Sequence, residues 1–377
     1  MAASIPRPLK EALTEKLAES LTGPLPDARQ RRVDGATGLP GKATAVVGMR
    51  RAGKTTFLHQ LRRERLAGGA ARERLPYLNF EDERLTGLEA SQLGFLVEEF
   101  GRRVPAMRGR TPVTWCFDEI QVVPGWERFV RRLLDAGGVD VIVTGSSAAL
   151  LSREIATALR GRAWEVPLYP FSFAEALDHQ GQKLPADPAF LTGRSRTRIE
   201  RAFSDWLTVG GFPEAQGLDV ATRTQLLRDY VDVAMLRDVV ERHEVSNITG
   251  LRWLVRQLLG NAAGLFSVEK FYAALKSQGV AISKDTVHQL LAHPEDCFLV
   301  RMVWMESASE RQRMVNPRKA YPVDSGLIPV FDRSGRANTG HALETAVLIE
   351  LERRRMRVPE WQWETTVKPA TSERRAW

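Results

Sequence analysis

Short, wholly apolar runs separated by longer mixed stretches organise the first half of the chain. Runs rich in β-branched and aromatic residues fall at Ala43–Val47, Leu75–Phe80, Val113–Phe117, Val139–Thr144 and Ala163–Leu168. Between them, apolar residues recur at helical spacing over Thr55–Arg65, Leu93–Arg103, Trp126–Ala136 and Ala148–Leu159. Strands without polar alternation that take turns with helices predict an α/β fold, a parallel sheet covered on both faces. Ahead of this block, residues 1–35 predict an amphipathic helix and a loop around Gly23-Pro24-Leu25-Pro26. From Phe173 to Gly260 the pattern turns almost entirely helical, and a smaller α+β unit follows from Gly264 to Leu327. One last helix, Ala342–Arg355, precedes an aromatic tail, Trp361-Gln362-Trp363. The expected units are therefore 1–35, 36–172, 173–262, 263–335 and 336–377.

Composition narrows this little. With 377 residues, 43% of them hydrophobic and 27% charged, the chain has the make-up of a multi-domain globular protein. No apolar run approaches the length that crosses a bilayer, and residues 1–20 lack the apolar centre of a secretory signal. Two cysteines, Cys116 and Cys297, cannot build a disulfide framework or a cysteine zinc site. The expectation is a cytoplasmic protein. The net charge of +8 is compatible with a nucleic-acid partner, but the arginines behind it are spread along the chain, as on a solvated surface.

Chemistry enters at Gly48-Met49-Arg50-Arg51-Ala52-Gly53-Lys54-Thr55, a full G-x4-G-K-[ST] match placed between a strand and a helix. There the glycines let backbone N–H groups wrap a polyphosphate, and the helix N-terminus adds positive potential. Lys54 is expected at the β- and γ-phosphates, Thr55 on Mg²⁺ and Thr56 at the α-phosphate. A second apolar strand ends in Asp118-Glu119, where Asp118 would hold Mg²⁺ through water and Glu119 would polarise the attacking water. No N-K-x-D base reader and no L-S-G-G-Q-like signature accompany these motifs, which points to ATP and its hydrolysis. At the tip of Val139–Thr144, Ser146 is the expected γ-phosphate sensor, with Thr144 or Ser147 as alternatives. A helix N-cap explains a serine there equally well.

Together with further segments, these motifs resemble a family of prokaryotic AAA+-like ATPases that carry a C-terminal DUF4143 domain. The segments are Tyr77-Leu78-Asn79-Phe80-Glu81-Asp82-Glu83-Arg84-Leu85, Phe117-Asp118-Glu119-Ile120-Gln121, Leu159-Arg160-Gly161-Arg162, Pro170-Phe171-Ser172-Phe173-Ala174-Glu175, Gly210-Gly211-Phe212-Pro213-Glu214, Asp324-Ser325-Gly326-Leu327 and Leu343-Glu344. The resemblance spans roughly residues 40 to 350. It implies a P-loop sheet in the 51432 strand order of AAA+ modules. It also offers Arg162 as a γ-phosphate arginine, a role often supplied from a neighbouring subunit, and a homo-oligomer would follow only if Arg162 acts in trans; Arg160 and Arg237 are poorer candidates. Longer relatives continue into a nuclease-like region. Here Glu344 stands without its partners, so it is expected to be a structural helix residue and no nuclease activity is expected.

Residues 267–315 have the layout of a winged helix. Ser267 and Ser283 would cap helices Val268–Ser277 and Lys284–Ala292, and Phe298–Met305 and Met314–Tyr321 would form the wing. Lys284, Thr286, His288 and Gln289 would face DNA, with Arg311, Arg313, Arg318 and Lys319 along its backbone. His288 has no His/Cys cluster around it that would make it a metal ligand. Two readings follow. One is a Mg²⁺-dependent ATPase that couples turnover to conformational change on double-stranded DNA; the other is a slow ATP-gated switch read by a protein partner without DNA. A small-molecule kinase fits the size and the additional domains less well.

Overall fold

The structure, a computed structural model, describes residues 5–27, 29–105, 112–145, 159, 161–185, 192–306, 309, 311, 317–333 and 338–356. Its first sheet holds β1 (Ala43–Val47), β2 (Tyr77–Asn79), β3 (Val113–Asp118), β4 (Val139–Gly145) and β5 (Ala163–Pro167), all parallel, in the order β2-β3-β4-β1-β5. Read from the other edge, this is the expected 51432 arrangement. Every residue of β1 and β3 is buried, as strands covered on both faces require. The register sets Val47 opposite Gly145 and Pro167, and Asp118 opposite Asn79. The loop after β1, the acids ending β3 and the tip of β4 therefore emerge along one edge of the sheet.

Helices α2 (Lys54–Ala67), α3 (Gly94–Arg103) and α4 (Trp126–Ala136) pack on this sheet. The N-terminal helix α1 (Arg7–Thr22) is not a separate unit, as the 1–35 boundary implied. Leu9, Leu13, Leu17 and Leu21, four residues apart and so on one face, are buried against β2 and α3. The helix Ala148–Leu159 lies outside the described residues except for Leu159, and the aromatic tail lies outside them entirely.

In the helical region, α5 (Phe173–His179) opens on a capping box in which Ser172 and Glu175 satisfy each other's backbone N–H. After α6 (Gly193–Val209), α7 (Val220–Val233) continues through a wider π-helical turn, Ala234–Val240, and ends in Glu241–His243. Such turns interrupt the hydrogen-bond ladder and are frequent at functional sites. Helix α8 (Ile248–Gly260) then leads into the α+β unit.

That unit contains β6 (Leu265–Phe266), α9 (Val268–Ser277), α10 (Lys284–Asp296), β7 (Val300–Val303) and β8 (Arg318–Pro322), with an antiparallel sheet in the order β6-β8-β7. Ser267 and Ser283 cap α9 and α10, accepting from the N–H groups of Lys270 and Thr286. α10 runs to Asp296, past Ala292 and through Pro294, and both strands are shorter than their apolar runs.

Past the short α11 (Ile328–Phe331), α12 (Thr339–Arg353) returns to the α/β unit instead of standing apart. Its Glu352 accepts from Tyr169 Oη at 3.1 Å and Arg301 Nε at 2.8 Å, and Arg353 donates to the Pro170 carbonyl at 2.7 Å. Glu344 accepts from Lys319 and Tyr321, both at 3.1 Å, which is a structural role. Among the described residues no helix is long and apolar enough to cross a membrane.

Candidate nucleotide site

The β1–α2 loop has the backbone its glycines predict. A Cβ on Gly48 would stand 2.1 Å from the Leu168 carbonyl oxygen, so only glycine fits beside the chain leaving β5. Gly53, at φ 96°, turns the loop into α2, and Arg51 adopts φ 65° between them. Lys54 is buried and folds back over the loop, donating to the carbonyls of Gly48 at 3.0 Å and Met49 at 3.3 Å.

Opposite the loop, Asp118 is wholly buried at the end of β3. Its carboxylate accepts from Thr55 Oγ1 at 2.8 Å, from Tyr77 Oη at 2.9 Å and from the Thr144 hydroxyl. Burial pushes this carboxyl above its ordinary range, the Thr144 and Thr55 hydroxyls pull it back, and the Glu119 charge adds to the rise. A divalent cation would reverse that balance. Thr55 and Asp118 offer a hydroxyl and a carboxylate oxygen side by side, a donor set that suits a hard ion such as Mg²⁺. The residues therefore fit the ion.

Glu119 follows in a left-handed conformation, φ 51°, sparsely used by non-glycine residues and concentrated at functional sites. Its N–H donates to Thr144 Oγ1 at 2.9 Å, its carboxylate lies 3.7 Å from Lys54 Nζ, and Gln121 donates to the other oxygen. Thr144 thus bonds both acids from the tip of β4. Thr144 is one of the two alternatives to Ser146 at this strand tip; Ser146 and Ser147 lie outside the described residues.

A cavity of about 760 Å³ lies over the loop, in the size range of small-molecule sites. Arg50, Arg51, Gly53, Lys54, Thr55, Thr56 and Glu119 form its floor, while Leu226, Asp229, Tyr230 and Val233 of α7 form its roof. Two ties join floor and roof. Arg50 donates to Asp238 of the π-helical turn at 3.0 Å and to Glu81 at 2.9 Å. Arg51 pairs with Glu214 at 3.3 Å, and Glu214 also accepts from Tyr230.

Lining the same cavity, Arg31 is a residue that sequence reasoning missed. It is buried, donates to the loop carbonyl of Ala52 at 2.6 Å and to the Tyr169 carbonyl at 2.5 Å, and pairs with Glu175 at 3.0 Å. Burial alone would raise Glu175, but Arg31 and then Arg353 hold it below its ordinary value. Arg31→Met is expected to destabilise the protein by about 3 kcal/mol, the low end for breaking a buried pair, because Arg353 remains beside Glu175. Urea denaturation checks it; a shift within error would mean that Arg353 and the backbone donors suffice.

Other expected residues are not brought together. Arg162 is half-exposed, pairs with Asp135, and its carbonyl accepts from Ala43 N–H at the start of β1. It therefore sits at the N-terminal edge of the sheet, about 16 Å of strand from the loop, and cannot reach a γ-phosphate in its own chain. Arg160 lies outside the described residues. Arg237 pairs with Glu241 on the surface at 3.2 Å.

On α10, Lys284, His288 and Gln289 are exposed and Thr286 is half-buried. Lys284 is paired with Glu269 at 2.6 Å, and Lys319 with Glu344 at 3.1 Å. The Arg318 guanidinium stacks 3.5 Å from the centre of the Trp304 ring. Arg311 is exposed, and Arg313 lies outside the described residues.

Residues 40–177 match the family AAA_14, an AAA domain. Residues 200–335 match DUF8612, a domain of unknown function, where the resemblance had implied DUF4143. Among solved structures, the Walker-type ATPase paby2304 of Pyrococcus abyssi is similar at 15% identity and TM-score 0.47, over 85% of this chain and 95% of that one. The Aeropyrum pernix ORC1 protein in complex with DNA is similar at 15% identity and TM-score 0.32, over 94% and 95%. The uncharacterized protein MJ1544 of Methanocaldococcus jannaschii is 32% identical over 84% of this chain and 68% of its own length. An uncharacterized protein of Haemophilus influenzae is 30% identical over 82% and 74%. The chain belongs to the same family as these two proteins, with an ATPase-like AAA domain in its first half.

Proposed function

We propose that this protein binds ATP with Mg²⁺ and hydrolyses it, and that turnover moves the helical region against the sheet. The observation that carries this reading is the convergence of Lys54, Thr55, Asp118, Glu119 and Thr144 on one edge of the sheet under a helical roof. The loop and Lys54 would hold the phosphates, with Thr56 at the α-phosphate. Thr55 and Asp118 would hold Mg²⁺, which supplies charge neutralisation when bound. Glu119 would orient and polarise water, and Thr144 would keep both acids in place. A phosphate entering here competes with Asp238 and Glu214 for Arg50 and Arg51, so occupancy is sensed by the roof.

We read the α+β unit as a winged helix, and here an observation favours the second reading. Lys284 on α10 is paired with Glu269 of α9, Lys319 on β8 is paired with Glu344 of α12, and Arg318 is stacked on Trp304, so these three cations are engaged within the protein instead of free to meet phosphates. A protein partner is therefore the better candidate for reading the ATP state than duplex DNA. Steady-state phosphate release in Mg²⁺, with and without duplex DNA, tests both parts. Mg²⁺-dependent turnover that DNA leaves unchanged is expected. Acceleration by DNA would restore the DNA reading, and absence of ATP binding would overturn the whole proposal.

A further inference from the structure

Away from the nucleotide cavity, two of the six histidines in the chain meet at the seam between the helical region and α10. His243 ends the helical run that starts with α7. His293 and Asp296 are three residues apart on α10 and so share a face. One ligand atom from each lies within 4.8 Å of the others. We propose that His243, His293 and Asp296 bind one first-row divalent transition-metal ion of the Zn²⁺ class.

Three observations support this. The imidazole rings stand with centroids 4.3 Å apart and planes 27° from parallel. Two imidazoles on one tetrahedral ion, with N–metal distances near 2.1 Å, have centroids roughly 5.3 Å apart, so binding requires the two rings to part by about 1 Å and to turn their nitrogens toward the ion. Next, Nδ1 of His293 is buried without a hydrogen-bond partner among the described residues. Ring packing gives no reason for that, since such an atom costs about 1–3 kcal/mol; an ion, or water held by it, removes the cost. His179 and His341 also carry partnerless Nδ1 atoms, but neither belongs to a three-ligand group among the described residues. Finally, two imidazoles and a carboxylate select Zn²⁺, Co²⁺ or Ni²⁺ over Mg²⁺.

Three protein ligands leave the remaining positions to water. The ion would staple α10 to the helical run whose π-helical turn holds Asp238 against Arg50. The site is independent of nucleotide chemistry.

The test uses the untagged full-length chain, stripped with chelator and dialysed into excess Mg²⁺ so that hard-ion sites are filled. Calorimetric titration with Zn²⁺ is expected to show one equivalent bound, and Co²⁺ to develop visible d–d absorption. Thermal stability is expected to rise with Zn²⁺. His293→Ala and Asp296→Asn are expected to weaken binding at least about tenfold, while His341→Ala leaves it intact. Should His293→Ala fail to fold, Asp296→Asn decides. Absence of saturable Zn²⁺ binding, or binding that Asp296→Asn leaves unchanged, overturns the proposal.

Discussion

Glu119→Gln is expected to lower steady-state ATP turnover by at least about a hundredfold, the minimum contribution of a positioned general base, while ATP affinity stays within a few fold. The asymmetry follows from the geometry. Glu119 lies outside the loop proposed to wrap the phosphates and touches that loop's lysine only at 3.7 Å. Its carboxylate faces the same cavity as Lys54, Thr55 and Thr56. Glutamine keeps the size and the backbone bond from Glu119 N–H to Thr144 Oγ1, so neither the left-handed turn nor Asp118 need move. What goes is the negative charge that draws a proton from water. Single-turnover phosphate release together with binding of a fluorescent ATP analogue separates the two quantities. A variant that binds and hydrolyses like the wild type would remove Glu119 from the chemistry. A variant that no longer binds would mean that Glu119 holds Lys54 in place.

Much of this site was legible along the chain because its grammar is local. A strand, a glycine loop and a helix are adjacent in sequence, and the bounds of β1 and α4 coincide with the apolar runs that predicted them. The strand order was legible only through family resemblance. Residues whose partners arrive from elsewhere were not readable. Arg31 meets a glutamate 144 positions away, and Tyr77 reaches Asp118 from the edge strand. Arg50 belongs to the loop motif, but its acidic partner Asp238 lies 188 positions on, in a helical stretch with no local mark. Arg162 shows a different limit: its place before β5 was legible, but which end of a parallel strand faces the loop decides reach within one chain, and Arg162 stands at the far end. Likewise Lys284 was counted as a free cation because charge can be read from sequence and ion pairing with Glu269 cannot.

Gly211→Ala is expected to leave no stably folded protein at 37 °C, a loss of at least about 4 kcal/mol and so among the exceptional single substitutions. Its Cβ would stand 2.1 Å from the Phe171 carbonyl oxygen and within 2.9 Å of two more backbone atoms of that residue. Overpacking against a flexible side chain costs about 1–3 kcal/mol because the neighbour can turn away; a backbone carbonyl cannot. Nor is Phe171 free to withdraw, since its own N–H donates to the Gly211 carbonyl at 2.6 Å. On the other side, Asp324 Oδ2 accepts from Gly211 N–H at 2.6 Å and Oδ1 accepts from Gly326 N–H at 2.9 Å. One methyl group would thus drive apart the end of the α/β unit, the helical region and the segment before α11, three regions that meet here. Circular dichroism melting and limited proteolysis measure the effect. Because Gly211 does not line the nucleotide cavity, ATP should rescue the variant only as far as mass action allows. A melting temperature near wild type would show that the three regions can separate without unfolding. In that case, the motion assigned to ATP turnover would extend to this junction as well as to the roof over the loop.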